Sequence, residues 1–278
     1  MRALIALVLA VGMAAPLSAA ELSISSDPPL PAPNLILNPG IEEGKDGKPK
    51  HWGWGTAAPE NFRTAWSDKG RTGKCLYLKA ETGVMSGYWS QSLKLAPSTE
   101  YVLKGWFRIN GGKLLCFAHS KTPDGRGIDS RFYASSMRNH YLVPVFLKPE
   151  YMAGLDAENW HPFRVPFKTL EKMERVSASL GMYFRAGEVF YDDISITRAK
   201  TDLKIAARAD EDALLHVKVL AEGEEKPVFD SGPLPAGRKD FEKTVASVSA
   251  EHRYVLEVTT RDGKVHRRSY PGGGEDEK

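Results

Sequence analysis

Short runs of alternating apolar and polar residues recur along most of the chain, and this period of two constrains the fold more than any other feature. In the run EYVLKGWFRI, alternation separates Leu103, Phe107 and Ile109 from Trp106 and Arg108. Successive side chains of a strand point to opposite faces of the sheet, so such runs are typical of half-buried strands. No window shows a sustained helical period. The sequence therefore predicts an all-β protein built from antiparallel β-sandwiches.

Composition divides the chain into five parts. Residues 1–20 combine a short apolar run with small residues at its end, the pattern of a secretory signal peptide. The Pro- and Ser-rich residues 21–33 predict an extended linker. Alternating runs fill residues 34–198, which predict a large β-sandwich, and residues 202–271, which predict a small one of the immunoglobulin or fibronectin type. Residues 272–278, GGGEDEK, predict a solvated tail.

The signal-peptide pattern predicts a secreted or periplasmic protein. No later stretch is long and apolar enough for a bilayer span of about 20 residues, so no membrane span is expected. Lys and Arg number 38 and Asp and Glu 35, a balance of +3 spread along the chain, which argues against a nucleic-acid partner. Cys75 and Cys116 lie in strand-like segments. Two alternatives fit the sequence: a disulfide between them, or two free buried thiols.

Five segments of residues 34–198 resemble, in order, the secreted carbohydrate-binding modules with a galactose-binding-like jelly-roll fold that accompany bacterial cellulases and xylanases. The segments are NLILNPGIEEG, KHWGW, SQSLKLAPSTEYVLKGWFRI, NWHPFRVPFKT and VFYDDISI. The insert at 121–159 has no clear counterpart in that family, and Ile41 stands where an aromatic residue is common. The resemblance implies a jelly roll that binds a polysaccharide, with the C-terminal domain as a possible link to a cell surface or a multi-enzyme assembly.

The same resemblance implies a structural Ca²⁺ ion held by Glu42 and Asp192. Calcium takes about six to eight oxygen ligands, and backbone carbonyls near Arg71 and Gly73 would complete the set. Asp192 shares a strand face with Phe190 and apolar neighbours, so it is expected to point inward, where a cation would offset its charge. The alternative is that both acids pair with basic side chains or accept backbone hydrogen bonds.

Aromatic residues outside the core are the candidates for sugar contact. Trp52 or Trp54, together with Trp160, are expected to fill the core or a domain edge. Sugar contact is predicted for residues that alternate with core positions or lie in polar stretches: Trp106, Arg108, Tyr183, Arg185, Tyr88 and Trp66. The first four would form one aromatic and guanidinium face if their two strands lie in the same sheet.

The adjacent acids do not form a catalytic pair. Glycoside cleavage needs two carboxylates that face each other across a sugar, whereas Glu42 and Glu43, like Asp192 and Asp193, point to opposite faces in an extended chain. The leading hypothesis is therefore a secreted, non-catalytic polysaccharide-binding protein that uses aromatic stacking and hydrogen bonds. One alternative is a structural or adhesive cell-surface β-module without a sugar ligand. Another is a polysaccharide hydrolase or lyase in which the insert at 121–159 forms the wall of a cleft.

Overall fold

The computed structural model describes residues 20–122, 124, 127–134, 157–173, 175–209, 213–272 and 275–277. The predicted signal peptide, apart from Ala20, and most of the 121–159 insert lie outside these residues. The chain forms two compact units. Of the described residues, those within 28–201 and 249–251 form the larger unit, and those within 20–27, 202–248 and 252–277 form the smaller unit.

Within the described residues, regular structure consists of strands and one 3₁₀ turn at Pro59–Asn61. The strands are β1 Glu21–Asp27, β2 Gly44–Lys45, β3 Lys48–Pro49, β4 Gly53–Thr56, β5 Phe62–Ser67, β6 Cys75–Ala80, β7 Gly87–Lys94, β8 Glu100–Gly111, β9 Leu114–Lys121, β10 Gly127–Ala134, β11 His161–Lys168, β12 Arg175–Met182, β13 Gly187–Arg198, β14 Lys200–Arg208, β15 Leu214–Ala221, β16 Pro227–Asp230, β17 Asp240–Ser249, β18 Tyr254–Thr260, β19 Val265–Tyr270 and β20 Glu275–Glu277. No helix in the described part of the chain is long and apolar enough to cross a membrane.

The larger unit is a sandwich of two five-stranded sheets. We call them the Tyr88 sheet, with strand order β10-β9-β12-β7-β4, and the Trp106 sheet, with order β11-β8-β13-β6-β5. The chain crosses repeatedly from one sheet to the other, as in a jelly roll. Leu103 and Phe107 from one sheet and Leu114 and Leu180 from the other are fully buried in one shared core. The prediction of an all-β sandwich is confirmed.

The smaller unit contains a three-stranded sheet, β1-β14-β17, and a five-stranded sheet, β16-β15-β18-β19-β20. Alternating side chains supply its buried residues: Leu22, Ile24, Leu203, Ile205, Val217, Val219, Leu256 and Val258. The hairpin expected at the turn RDGK joins β18 to β19, which pair antiparallel. The immunoglobulin or fibronectin type of this unit stays a prediction.

Both ends of the smaller unit differ from the sequence expectation. Glu21–Asp27, expected as part of a linker, is a strand that pairs antiparallel with β14 along its whole length. Its Leu22 and Ile24 alternate with polar residues and are buried, so local alternation outweighs the Pro and Ser composition that follows it. In the expected tail, Glu275–Glu277 pairs with β19, and the register sets Asp276 opposite Arg267.

The larger unit also shows two features that the sequence left open. Gly127–Ala134, inside the predicted insert, is a strand that pairs with β9. Cys75 and Cys116 are both free and buried. Burial raises the pKa of Cys75 to about 12 and also raises the pKa of Cys116 well above that of an ordinary thiol. Both are therefore unreactive thiols that pack as core residues.

Candidate functional site

The segment between β5 and β6, residues 68–74, wraps around a buried carboxylate. Asp192 on β13 is fully buried. One of its oxygens accepts hydrogen bonds from the backbone N–H groups of Arg71, at 2.7 Å, and Thr72, at 3.2 Å. The other accepts from the N–H of Asp193 at 2.8 Å. Burial raises the pKa of Asp192, and these hydrogen bonds partly oppose that rise because they favour the charged form.

Glu42 lies against the same segment. Its Oε1 accepts a hydrogen bond from the N–H of Lys74 at 3.0 Å. Gly73 has φ +106°, and a Cβ atom there would lie 2.5 Å from Oε1, so the carboxylate rests against the glycine backbone. The carbonyl of Gly73 accepts from the N–H of Gly70 at 2.9 Å. The four residues predicted for calcium are therefore brought together by one turn.

The chemical groups that face these two carboxylates decide whether a cation fits. The contacts of both carboxylates include backbone N–H donors, whereas calcium takes carboxylate and carbonyl oxygens. The described residues contain no group of three or more His, Cys, Asp or Glu side chains that could hold a metal. The hydrogen bonds match the alternative of backbone hydrogen bonding, and calcium stays a prediction of the resemblance.

Trp106 and Arg108 project from the outer face of the Trp106 sheet, as alternation predicted. With Arg71, Trp160 and Phe190 they form what we call the Trp106 surface. The guanidinium carbon of Arg71 lies 4.3 Å from the centre of the Trp106 ring, and its Nη1 pairs with Asp193 at 2.6 Å. Arg71 therefore covers one face of the tryptophan, which leaves less of that ring for stacking on a sugar.

Tyr183 and Arg185 do not join this surface. The strand that leads to them, β12, belongs to the Tyr88 sheet, whereas β8 belongs to the Trp106 sheet. Tyr183 lies beyond the end of β12, where the Lys113 ammonium is 5.0 Å from its ring centre. Burial, together with the charge of Arg185, lowers the pKa of Lys113. The expected surface of Trp106, Arg108, Tyr183 and Arg185 does not form, because the two strands that would carry it lie in different sheets.

Trp66 supports the opening turn of the larger unit. Its Nε1 donates a hydrogen bond to the carbonyl of Ile41 at 2.6 Å, and the Lys74 ammonium lies 4.5 Å from its ring centre. A Cβ atom at Gly44 would lie 2.6 Å from the ring, so the indole packs directly on the backbone there. Trp66 is thus half-buried and engaged on several sides.

Tyr88 projects from the outer face of the Tyr88 sheet, while its neighbour Trp89 is buried. The rings of Tyr88 and Phe117 meet edge to face, with centroids 5.1 Å apart and planes at 85°. His119 follows on the same side, 6.2 Å from Phe117. A Cβ atom at Gly181 would lie 2.2 Å from the Tyr88 ring, so the ring lies across the backbone of β12. We call this group the Tyr88 surface.

Serine residues lie beside these rings on β7 and β12. The register sets Ser179 opposite both Ser90 and Phe117, and it sets Ser177 opposite both Ser92 and His119. Side chains no larger than serine thus share the face with the aromatic rings. Sequence reasoning missed Phe117 and His119, although the run LLCFAHS alternates them with the core residues Cys116 and Ala118.

No family model and no curated protein matches the sequence. Several solved structures are similar in fold. One is the carbohydrate-binding module TmCBM61 in complex with β-1,4-galactotriose, with 14% identity and a TM-score of 0.38 over 60% of this chain and 99% of that chain. Another is the CBM22-1 xylan-binding domain from Paenibacillus barcinonensis, with 12% identity and a TM-score of 0.39 over 57% and 90%. A third is the enzymatically active domain of bacteriophage CBA120 tailspike protein 4, with 10% identity and a TM-score of 0.43, where the match spans 59% of this chain but 21% of that chain.

Proposed function

We propose that the larger unit binds a polysaccharide without cleaving it, and that the Tyr88 surface is the contact surface. The observation that carries the proposal is the edge-to-face pair of Tyr88 and Phe117 beside serine hydroxyls on one sheet face. A sugar ring presents apolar C–H faces, which pack on aromatic rings, and hydroxyl groups, which pair with side chains that both donate and accept. The two kinds of group alternate on this surface as they do on a sugar chain.

The acids singled out in the sequence are occupied by structural contacts. Glu43 pairs with Lys50 at 2.9 Å, and this hydrogen bond and charge lower the pKa of Glu43. Asp193 pairs with Arg71, and Asp192 is buried on backbone N–H groups. Groups held in this way do not serve as an exposed acid and nucleophile across a sugar. This supports a binding function over the hydrolase or lyase alternative.

In this proposal the protein is secreted or periplasmic, as its signal-peptide pattern suggests. The smaller unit, of immunoglobulin or fibronectin type, attaches the sugar-binding unit to a cell surface or a multi-enzyme assembly. Attachment of this kind is useful for a site that binds sugar weakly. Retention of the protein on a polymer then grows with the number of sites that bind at the same time. A purely adhesive module is the competing function, and it predicts no glycan affinity at all.

Affinity electrophoresis against a panel of soluble polysaccharides tests the proposal. We expect at least one polymer to retard the protein and Tyr88→Ala to weaken that retardation about tenfold or more. Phe184→Ala is the matched control, since Phe184 is an aromatic residue that is 53% exposed and lies outside both surfaces. Retardation by no polymer, or an equal loss in both variants, would contradict the proposal. Release of reducing ends or unsaturated product would favour an enzyme instead.

A further inference from the structure

We propose that the Trp106 surface holds a second site, in which the guanidinium of Arg108 binds the carboxylate of an acidic sugar residue, a uronate, in a polysaccharide. The inference rests on the proposed function in one respect, namely that the ligand is a saccharide. The site is distinct from the Tyr88 surface, because Arg108 lies on β8 of the Trp106 sheet, whereas Tyr88 lies on β7 of the Tyr88 sheet.

Two aromatic rings fix the guanidinium of Arg108. Its central carbon lies 4.6 Å from the centre of Phe190 and 5.4 Å from the centre of Trp160. Phe190 is the direct cross-strand partner of Arg108, so the first contact follows from the register. Stacking on aromatic faces leaves the N–H groups at the guanidinium edge free to point away from the rings. The group is thus held in place before any ligand arrives.

The N–H groups of Arg108 are almost unused. Among the described residues, the guanidinium has no ion pair, and its single hydrogen bond is a long one of 3.5 Å to the carbonyl of Lys69. Arginine carries five N–H donors. The neighbouring Arg71 differs, since it is paired with Asp193 at 2.6 Å. Arg108 therefore differs from Arg71 in being a half-buried cation with open donors beside two rings.

The acid on the next row of the sheet is committed elsewhere. Glu188 accepts hydrogen bonds from the hydroxyl of Tyr77 at 3.1 Å and from the amide of Asn110 at 3.4 Å. It therefore holds these two polar groups in position and does not neutralise Arg108. Burial and, second to it, the hydrogen bond with Glu188 raise the pKa of Tyr77 to about 12. The phenol therefore keeps its proton and acts as a hydrogen-bond donor.

The chemistry of these groups selects the ligand. A planar guanidinium with free N–H groups pairs with a carboxylate through two parallel hydrogen bonds, which a neutral hydroxyl cannot reproduce. Asn110 lies two residues further along β8, Glu188 lies on the neighbouring strand β13, and Tyr77 lies one strand further on β6. Their polar groups are of the kind that pair with sugar hydroxyls. Neighbouring strands are about 4.8 Å apart, so carboxylate and hydroxyl contacts fall within the reach of adjacent sugar residues. A uronate in a polysaccharide presents both kinds of group.

Binding of polygalacturonate and of its fully methyl-esterified form tests the inference, because the two polymers share a backbone and differ in charge. We expect wild-type protein to bind the acidic polymer at least tenfold more tightly, and Arg108→Gln to abolish this preference. Arg108→Lys is expected to restore little of it, because an ammonium lacks the two-pronged geometry. Arg208→Gln, which removes an exposed charge from β14 of the smaller unit, is the matched control and should leave the preference intact.

The outcomes separate this site from the proposed function. Tyr88→Ala should weaken binding of neutral polysaccharides but retain a response to sodium galacturonate, followed by NMR chemical-shift titration of the tryptophan indole signals. Equal affinity of wild-type protein for both polymers with no response to galacturonate would overturn the inference while leaving neutral glycan binding untouched. Equal losses in Arg108→Gln and Arg208→Gln would also overturn it, as a general effect of net charge. If Arg108→Gln does not fold, the wild-type preference and the lysine variant decide the question.

Discussion

The backbone N–H of Arg71 donates a hydrogen bond to the buried carboxylate of Asp192 across 121 residues of chain, at a distance of 2.7 Å. Through this contact the segment 68–74 is held against β13 near the centre of the Trp106 sheet. The side chain of the same arginine covers Trp106. The position of this loop therefore determines both the hydrogen bonds of the buried carboxylate and the exposure of the aromatic ring on the outer surface. Stability and surface geometry in the larger unit are therefore linked through Asp192.

Replacement of Asp192 by alanine should destabilise the protein strongly. Three backbone N–H groups would lose their acceptor at a part-buried position. A donor left unpaired costs about 1–3 kcal/mol when it is buried, and less where water can reach it. We expect a loss of about 3 kcal/mol in the free energy of unfolding, measured by urea denaturation. Asp193→Asn is the control, since asparagine tolerates the left-handed backbone at this position and the partly exposed ion pair that it removes should contribute no more than about 1 kcal/mol. Similar losses in the two variants would refute this role.

Calcium should leave the midpoint of thermal unfolding unchanged. The carboxylates of Asp192 and Glu42 accept hydrogen bonds from backbone N–H groups, with which an ion would have to compete. A ligand that binds the folded state at 100 times its Kd adds about 2.7 kcal/mol of stability. Calorimetry in millimolar CaCl₂ and in EDTA measures the difference directly. A midpoint that rises with calcium, and loses that rise in Glu42→Gln, would show that the calcium implied by the resemblance is bound.

Residue alternation predicted that Trp106 and Tyr88 leave the core but not which side chains meet. It was wrong for β13, where Phe190 and Asp192 were expected to point inward. They lie opposite Arg108 and Trp106 on the outer face, while Val189 and Tyr191 join the core. Trp106 and Tyr88 both face outward as their spacing requires, and Trp89 is buried. Whether Tyr183 joins Trp106 depends on which strands pair, and a period of two carries no information on strand order. β12 pairs with β7 and β9, so Tyr183 lies just beyond the end of the central strand of the other sheet.

The resemblance predicted that Glu42 and Asp192 come together, and they meet at one loop. It did not predict the direction of the peptide groups that face them. That direction depends on the tight turn in which Gly70 donates to the carbonyl of Gly73, and the left-handed φ of Gly73 is part of it. A single peptide rotation exchanges N–H for C=O at a carboxylate, and no pattern of residue types distinguishes the two.

Leu22→Ala should destabilise the smaller unit, although the sequence placed Leu22 in a linker. The side chain is 2% exposed on a strand paired with β14, and removal of a buried leucine beyond Cβ costs about 2–5 kcal/mol. Ser23→Ala, on the exposed face of the same strand, should change the stability by less than about 0.5 kcal/mol. Unfolding followed by amide hydrogen exchange can assign the loss to this unit. Equal stability of the two variants would restore the linker interpretation.

The stabilising contribution of Glu251 to the larger unit should disappear in acid. Burial opposes ionisation of this carboxyl, but hydrogen bonds and charges from Lys104 and Arg164 outweigh it and lower the pKa of Glu251 below the ordinary value of 4.5. The Arg164 contact is 3.1 Å long. A group whose pKa is lower in the folded state contributes stability that is fully present above its unfolded pKa and is lost as the pH falls through the folded pKa.

Glu251→Gln should therefore be less stable than wild type by up to about 1 kcal/mol at pH 7, the range for a partly exposed ion-pair network. The difference should shrink as the pH drops below 4.5 and should weaken in high salt, because the partners are partly exposed and their charges are screened. Urea denaturation of both proteins between pH 7 and pH 3 measures it. Glu222→Gln is the control, since the contact of Glu222 with Arg253 is longer at 3.6 Å and both side chains are more than half exposed. A difference between Glu251→Gln and wild type that grew towards acid would reverse the sign and exclude the ion pairs as its cause.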